Sequence, residues 1–216
     1  METLKKVAVI GLGNIGKAIA NDLIKNNHEV IVASRNSEEA SNFAEQSGGL
    51  AQSMSIKEAI NTVDLIIPAI WFGSFKDFFN DYGDLLKDKI IIDVSNPIAP
   101  DGNGGFKKII GERESAGELN QAILPKGSKL VKAFGTLGAE TLAGASNGSP
   151  EKSVLFYASD DMEVNHDVEE VIKNAGFDPL RVGGINQSIR IEVFGDLHEF
   201  GALGKTVNLT EAKSKL

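Results

Sequence analysis

Apolar residues fall along this chain in two rhythms. Short continuous runs read as buried strands: residues 5–10, ending in VAVI, then EVIVA (29–33), DLIIPAI (64–70), KIIIDV (89–94), KLVKAF (129–134) and SVLFYAS (153–159). Two shorter strands are expected near 50–51 and at 178–182. Between the runs the apolar positions take helical spacing, as with Ile15, Ile19 and Leu23 in 14–27, and Ala40, Phe43 and Ala44 in 37–46. Further helices are expected over 55–61, 71–86, 115–124 and 162–174. Ser55 with Glu58, and Ser115 with Glu118, stand at capping-box spacing. Residues 185–203 also read as a helix, apolar on more than one face and so buried or in a dimer contact.

Strand and helix alternate, which predicts an α/β fold: a Rossmann-type, doubly wound, mostly parallel sheet with a small C-terminal α/β extension. The expected organisation is a dinucleotide-binding domain over residues 1–150 and an extension over 151–216 that completes the sheet and an acceptor pocket or dimer contact. Pro68 removes a ladder donor, so regular pairing should end near it. Two stretches break the rhythm. Residues 95–114 are rich in Gly and Pro and follow a strand's carboxyl end, where ligands bind in such sheets, although a plain surface crossover has the same composition. Residues 135–150 are small and polar, a loop with at most one short helix.

The first strand runs directly into Gly11-Leu12-Gly13-Asn14-Ile15-Gly16. Glycines alone are a weak signal, but here a strand precedes them, a helix follows, and a second strand comes about 20 residues on. Gly11 permits the tight turn, Gly13 lets backbone approach a pyrophosphate, and Gly16 lets helix pack on strand. The helix N-terminus then meets the phosphates with free N–H groups and its dipole. The second strand ends at Ser34-Arg35, where an NAD site carries an acid. A hydroxyl and a guanidinium suit a 2′-phosphate, which a carboxylate would repel, so the expected cofactor is NADP(H). Asn36 adds a possible donor, while Glu38 and Glu39 fit the first turn of the next helix. The plain alternative for Arg35 is a solvated loop residue.

Composition narrows the remaining classes. Over 216 residues, 42% are hydrophobic and 24% charged, as in an ordinary globular protein, with a formal net charge of −8. That charge argues against nucleic acid and anionic membranes as partners. With no cysteine there is no disulfide, thiolate nucleophile or cysteine-held metal, and three scattered histidines make no metal spacing. No leader and no membrane span is read, so the cytoplasm is the expected compartment. His198 is the best-placed titratable group on the expected last helix, against the plainer reading of a surface or dimer-contact histidine; His28 and His166 are expected to be solvated. Trp71, the single tryptophan, either stacks near the dinucleotide or plugs the sheet edge. No catalytic residue is assigned and no metal site is expected.

The motifs GLGNIGKAIA (11–20), ASR (33–35), PAIW (68–71), DVSNP (93–97), KAFGTLGAETL (132–142) and GGINQSIRIEVFG (183–195) together give a family resemblance. The chain resembles the NADP oxidoreductases dependent on the deazaflavin coenzyme F-420, including the NADPH-dependent F-420 reductase-like proteins of bacteria. It is also similar to the reductase domain of six-transmembrane ferric reductases. The resemblance spans nearly the whole chain and implies NADPH as hydride donor, a flavin, deazaflavin, ferric or small organic acceptor, and a homodimer. It further implies that Gly11 to Ile15 hold the pyrophosphate, Ser34 and Arg35 the 2′-phosphate, and that Ala69, Ile70 and Trp71 lie over the dinucleotide. Asn96, Pro97, Ala133 and Phe134 would flank the nicotinamide and acceptor, with Gln187 and Ser188 in a further part of the acceptor pocket. Two positions depart from the pattern: F-420 enzymes have His where Phe134 stands, and many bacterial relatives have Asn where Gly135 stands. These departures keep open a second class of function, an NADP(H) sensor or redox-partner module without turnover.

Overall fold

A computed structural model describes residues 5–216; the first four residues of the expected N-terminal stretch lie outside it. Its strands and helices alternate as β1 (Val7–Ile10), α1 (Asn14–Lys25), β2 (Val30–Ala33), α2 (Ser37–Glu45), β3 (Ala51–Ser53), α3 (Ile56–Thr62), β4 (Leu65–Pro68), α4 (Phe75–Tyr82) and β5 (Ile90–Asp93). There follow β6 (Ile98–Pro100), β7 (Phe106–Lys108), α5 (Ala116–Ala122), β8 (Lys129–Lys132), α6 (Ala139–Ala145), β9 (Val154–Ser159), α7 (Asn165–Asn174), β10 (Asp178–Gly183), α8 (Ser188–Ile191) and α9 (Leu209–Lys213).

Eight strands form one sheet in the order β10-β9-β8-β5-β4-β1-β2-β3. Its pairings are parallel except that between β8 and β9. The central strands are buried throughout, which is why they read as continuous apolar runs. One face packs on α1, α2, α6 and α7 through residues such as Ile19, Leu23, Leu142, Val168 and Ile172. The other packs on α3 and α4 through Ile60, Phe75, Phe78 and Phe79. A third apolar cluster joins β9 to the C-terminal segment through Phe156, Ile191, Leu197 and Val207.

Local signals place the boundaries. Asn27 takes φ 58° just after α1, and Gly176 takes φ 90° just after α7, both in the left-handed conformation that stops a helix. Ser55 and Glu58 form a reciprocal capping box at α3. Pro68 is the last paired residue of β4, and its pairing with β5 ends earlier, at Ile66. The stretch 95–114 is more ordered than expected. It holds the antiparallel β6–β7 hairpin, whose turn is pinned by Asp101 Oδ1 accepting from the N–H groups of Asn103 and Gly105.

The helix expected over 185–203 does not form. A 3-10 turn (185–187) leads into one short turn of helix, α8, and the chain then turns irregularly until α9, which periodicity did not reveal. Tertiary partners capture the backbone here. Glu192 is extended and sends its carboxylate to α5, while the Val193 N–H donates to Asn96 Oδ1 at 2.7 Å. The segment folds back on itself so tightly that a Cβ on Gly201 would lie 1.8 Å from the Gly195 carbonyl oxygen. The all-round apolar pattern reflects a knot that buries Ile191, Val193 and Leu197 and leaves Phe194 and Phe200 exposed.

Candidate functional site

The expected nucleotide residues meet along the carboxyl edge of β1, β2 and β4. Gly11 leaves β1 with φ 99° and donates its N–H to the Ala33 carbonyl at 2.8 Å, tying the turn to the end of β2. The Ala69 N–H donates to the Ile10 carbonyl at 2.8 Å, tying in the end of β4. A Cβ on Gly16 would lie 1.9 Å from the Gly11 carbonyl oxygen, and one on Gly11 2.5 Å from that of Ala69. Gly13 differs: a Cβ there would meet nothing within 4 Å. It is also the N-cap of α1 and offers no side chain to the first-turn N–H groups. No side chain caps those donors and the space beside Gly13 is open, as a pyrophosphate cradle requires, so the residues fit a dinucleotide.

At the end of β2, Ser34 is half-buried and Arg35 is exposed, pairing with no carboxylate among the described residues. Asn36 Oδ1 accepts the Glu38 N–H at 3.1 Å, capping α2. Glu38 and Glu39 lie in the first turn of α2, as expected, but Glu39 also reaches sideways. Its Oε2 accepts from Ser34 Oγ at 3.0 Å and its Oε1 from Lys17 Nζ at 2.9 Å. Lys17 was not singled out by sequence; nothing in the spacing of α1 signals a contact with α2. Trp71 is 61% exposed at the mouth of the β4–α4 turn, which excludes its plugging the sheet edge. Ile70 packs inward against the α3–α4 layer.

At the ends of β5 and β8 the site is built around a buried charge network. Lys132 Nζ contacts Asp93 Oδ2 at 3.0 Å and Glu192 Oε1 at 3.8 Å, and donates to the Ser95 carbonyl. Asp93 also accepts from the Ser95 N–H at 2.8 Å and from Asn120 Nδ2 at 2.9 Å. Glu192 accepts the N–H groups of Ala116 and Gly117, each at 2.9 Å. Burial pushes the Glu192 carboxyl up, while Lys132 and those two N–H groups pull it back. The signal for two of these residues lay in the sequence: Asp93 and Lys132 each close a strand directly after an apolar run.

Above this network Asn96 is fully engaged, its Nδ2 donating to the Gly135 carbonyl at 2.9 Å and its Oδ1 accepting from Val193. Pro97 is buried beside it and is preceded by a trans peptide. Ala133 and Phe134 are buried, and Phe134 takes φ 60° with its ring in the core between sheet and helices, so only its backbone faces the strand ends. Gln187 is half-buried, and Ser188 Oγ is turned away to Ser115 Oγ at 2.9 Å.

His198 corrects two expectations: it stands in a turn, not on a helix, and it is buried, 1% exposed. Its Nδ1 accepts the Phe200 N–H at 2.9 Å. Burial lowers its pKa from 6.5 to about 4, against a contact with the Gly135 backbone, so the ring is neutral at pH 7. His28 is half-buried, not fully solvated; His166 is exposed. Because the folded His198 pKa is depressed, its contribution to stability is full above pH 6.5 and drains as pH falls toward 4. The stability gap between wild type and His198→Asn should therefore narrow by about 2–3 kcal/mol from pH 7.5 to pH 4.5, measured by urea unfolding. Buried Asp22, raised to about 6, works in the opposite direction but is common to both proteins and cancels in the gap.

Residues 6–97 match the model of a family described as NADP oxidoreductase coenzyme F420-dependent. Those residues contain the glycine turn, Ser34-Arg35 and the β4 turn. The chain is 28% identical to Metalloreductase STEAP3 of Rattus norvegicus over 188 residues, covering 87% of this chain but only 36% of that protein. In structure it is similar to a hypothetical protein from Sinorhizobium meliloti, with TM-score 0.80, 25% identity and coverage of 94% and 95% of the two chains. A putative F420-dependent NADP-reductase from Arthrobacter sp. FB24 shares the fold, with TM-score 0.71, 22% identity and coverage of 85% and 86%. Among the described residues, no helix is long and apolar enough to cross a membrane.

Proposed function

We propose that this chain is an NADPH-dependent oxidoreductase that passes reducing equivalents to a flavin-like or deazaflavin acceptor, or to a ferric or small organic one. The observation that carries the reading is the pairing of an open glycine cradle at Gly13 with Ser34 and an uncommitted Arg35 one strand away. Bound NADPH supplies a hydride. Gly11, Gly13 and the first turn of α1 would hold the pyrophosphate, and Ser34 with Arg35 the 2′-phosphate. Ala69, Ile70 and Trp71 would border the dinucleotide. Asn96, Pro97 and the backbone of Ala133 and Phe134 would frame the nicotinamide end. Hydride transfer to a flavin-like ring depends on alignment and exclusion of water more than on an acid or base. That demand suits a strand edge whose one nearby histidine is buried and neutral. A homodimer covering the exposed Phe194 and Phe200, and a cytoplasmic location, belong to the same reading.

Calorimetry with NADPH and NADH tests the cofactor. Wild type should prefer NADPH, and Arg35→Asp should weaken NADPH by roughly 10–100-fold while leaving NADH little changed. Equal affinity for both cofactors in wild type would refute the assignment. Oxidation of NADPH followed with FMN, FAD, F-420 and ferric chelates tests turnover; no oxidation with any of them would favour the sensor module.

A further inference from the structure

The Glu39 carboxylate sits where the neighbouring donors would be expected to hold a phosphate. It is gripped by a hydroxyl, Ser34 Oγ at 3.0 Å, and an ammonium, Lys17 Nζ at 2.9 Å. Ser34 Oγ in turn accepts the Asn36 N–H at 3.3 Å, so the loop after β2 is organised around this carboxylate. The pairing with Lys17 and Ser34 holds Glu39 below the usual carboxylate range, so it is an anion at neutral pH. We propose that Glu39 is a built-in anion that occupies the 2′-phosphate cradle of the free protein, and that NADP(H) displaces it and recruits Lys17 as a further phosphate ligand. The inference rests on the NADP reading of Ser34 and Arg35.

Magnitudes favour the exchange. Lys17 and Glu39 are partly exposed, with side chains 46% and 34% accessible, and such an ion pair is worth only about 0–1 kcal/mol. A phosphomonoester carries a charge of roughly −1.5 to −2 and three acceptor oxygens, so it outbids a single carboxylate for the same donors. Glu39 has room to withdraw. A groove of about 640 Å³ lies between α1 and α2, lined by Lys17, Asn21, Asn36, Glu39, Asn42 and Gln46. NADH has nothing to exchange with Glu39, so the pair stays closed and Lys17 makes no contact with it. The carboxylate thereby tempers discrimination, since it competes only with a phosphate, while Lys17 rewards only what carries one.

The test is calorimetry of NADPH and NADH on wild type, Glu39→Gln, Lys17→Met and the double variant. Glu39→Gln should tighten NADPH by roughly 3–10-fold, since the competing charge is gone, and leave NADH unchanged. Lys17→Met should weaken NADPH by roughly 5–20-fold in both the wild-type and the Glu39→Gln backgrounds. Unchanged or weaker NADPH binding by Glu39→Gln overturns the proposal, as does a Lys17→Met effect that vanishes once Glu39 is neutral. If wild type itself binds NADH as tightly as NADPH, the underlying reading falls and the proposal with it. If wild type discriminates and the variants do not respond, only the proposal falls. NADH affinity in the same samples controls for folding.

Discussion

Lys132→Met should cost about 3–5 kcal/mol of stability, the largest effect expected of a single substitution in this fold. Lys132 is 0% exposed and stands between two carboxylates that are themselves buried, Asp93 at 0% and Glu192 at 1%. Removing the ammonium leaves both acids in the interior with hydrogen bonds but without a countercharge. They can respond only by protonating or by drawing in water, and either loosens the junction of β5, β8 and the C-terminal knot. For a chain of this size each kcal/mol corresponds to about 2–4 °C, so the thermal midpoint should fall by roughly 10 °C or more. The deficit should shrink at low pH, where the unpaired acids take up protons, and rescue on moving from pH 8 to pH 5 distinguishes lost charge pairing from lost packing.

Gly16→Ala should abolish detectable NADPH binding and also destabilise the fold. The new Cβ would sit 1.9 Å from the Gly11 carbonyl oxygen, with the Gly11 carbonyl carbon at 3.0 Å and Ala69 Cβ at 3.1 Å. Those neighbours are two backbone atoms and a short side chain, so none can swing away. α1 must lift off the strand ends, at a cost of roughly 2–4 kcal/mol by the usual scale of steric core defects. Gly13→Ala is the matched control. Its Cβ meets no protein atom within 4 Å, so the melting temperature should stay near wild type while the methyl intrudes on the pyrophosphate. Loss of binding by roughly 100-fold or more in both variants, with loss of stability only in Gly16→Ala, is the expected pattern in parallel melts and titrations. A Gly13→Ala protein that binds NADPH normally would move the pyrophosphate off this turn.

The β1–α1–β2 unit was legible because its contacts are local. From β1 through α1 to β2 the glycine turn, the helix and the Ser34-Arg35 edge fall within 30 residues, and the need for Gly11 and Gly16 follows from nearby backbone. The C-terminal segment resisted for the opposite reason. Glu192 answers to Ala116 and Gly117, Val193 to Asn96, and the Glu199 N–H to the Thr136 carbonyl, all far away in sequence. Helical periodicity at 185–203 carried no trace of those partners, and the glycines at 195 and 201 permit close backbone contact that the spacing did not signal. Lys17 and Glu39 fall between these cases. Each was placed correctly on its helix, but their meeting depends on how α1 and α2 lie together.

Because β9 runs against β8 and pairs with it only at Val131–Ser159 and Lys132–Ala158, residues 154–157 continue past the point where β8 ends. The C-terminal knot backs that projecting half-strand through Phe156, Ile191 and Leu197. The carboxyl edge of the sheet is thus a ledge with a parapet on one flank, level along β1, β2 and β3 and raised beyond β8. On the proposed reading, a dinucleotide with its phosphates at Gly13 and Ser34 would run along that ledge toward the parapet.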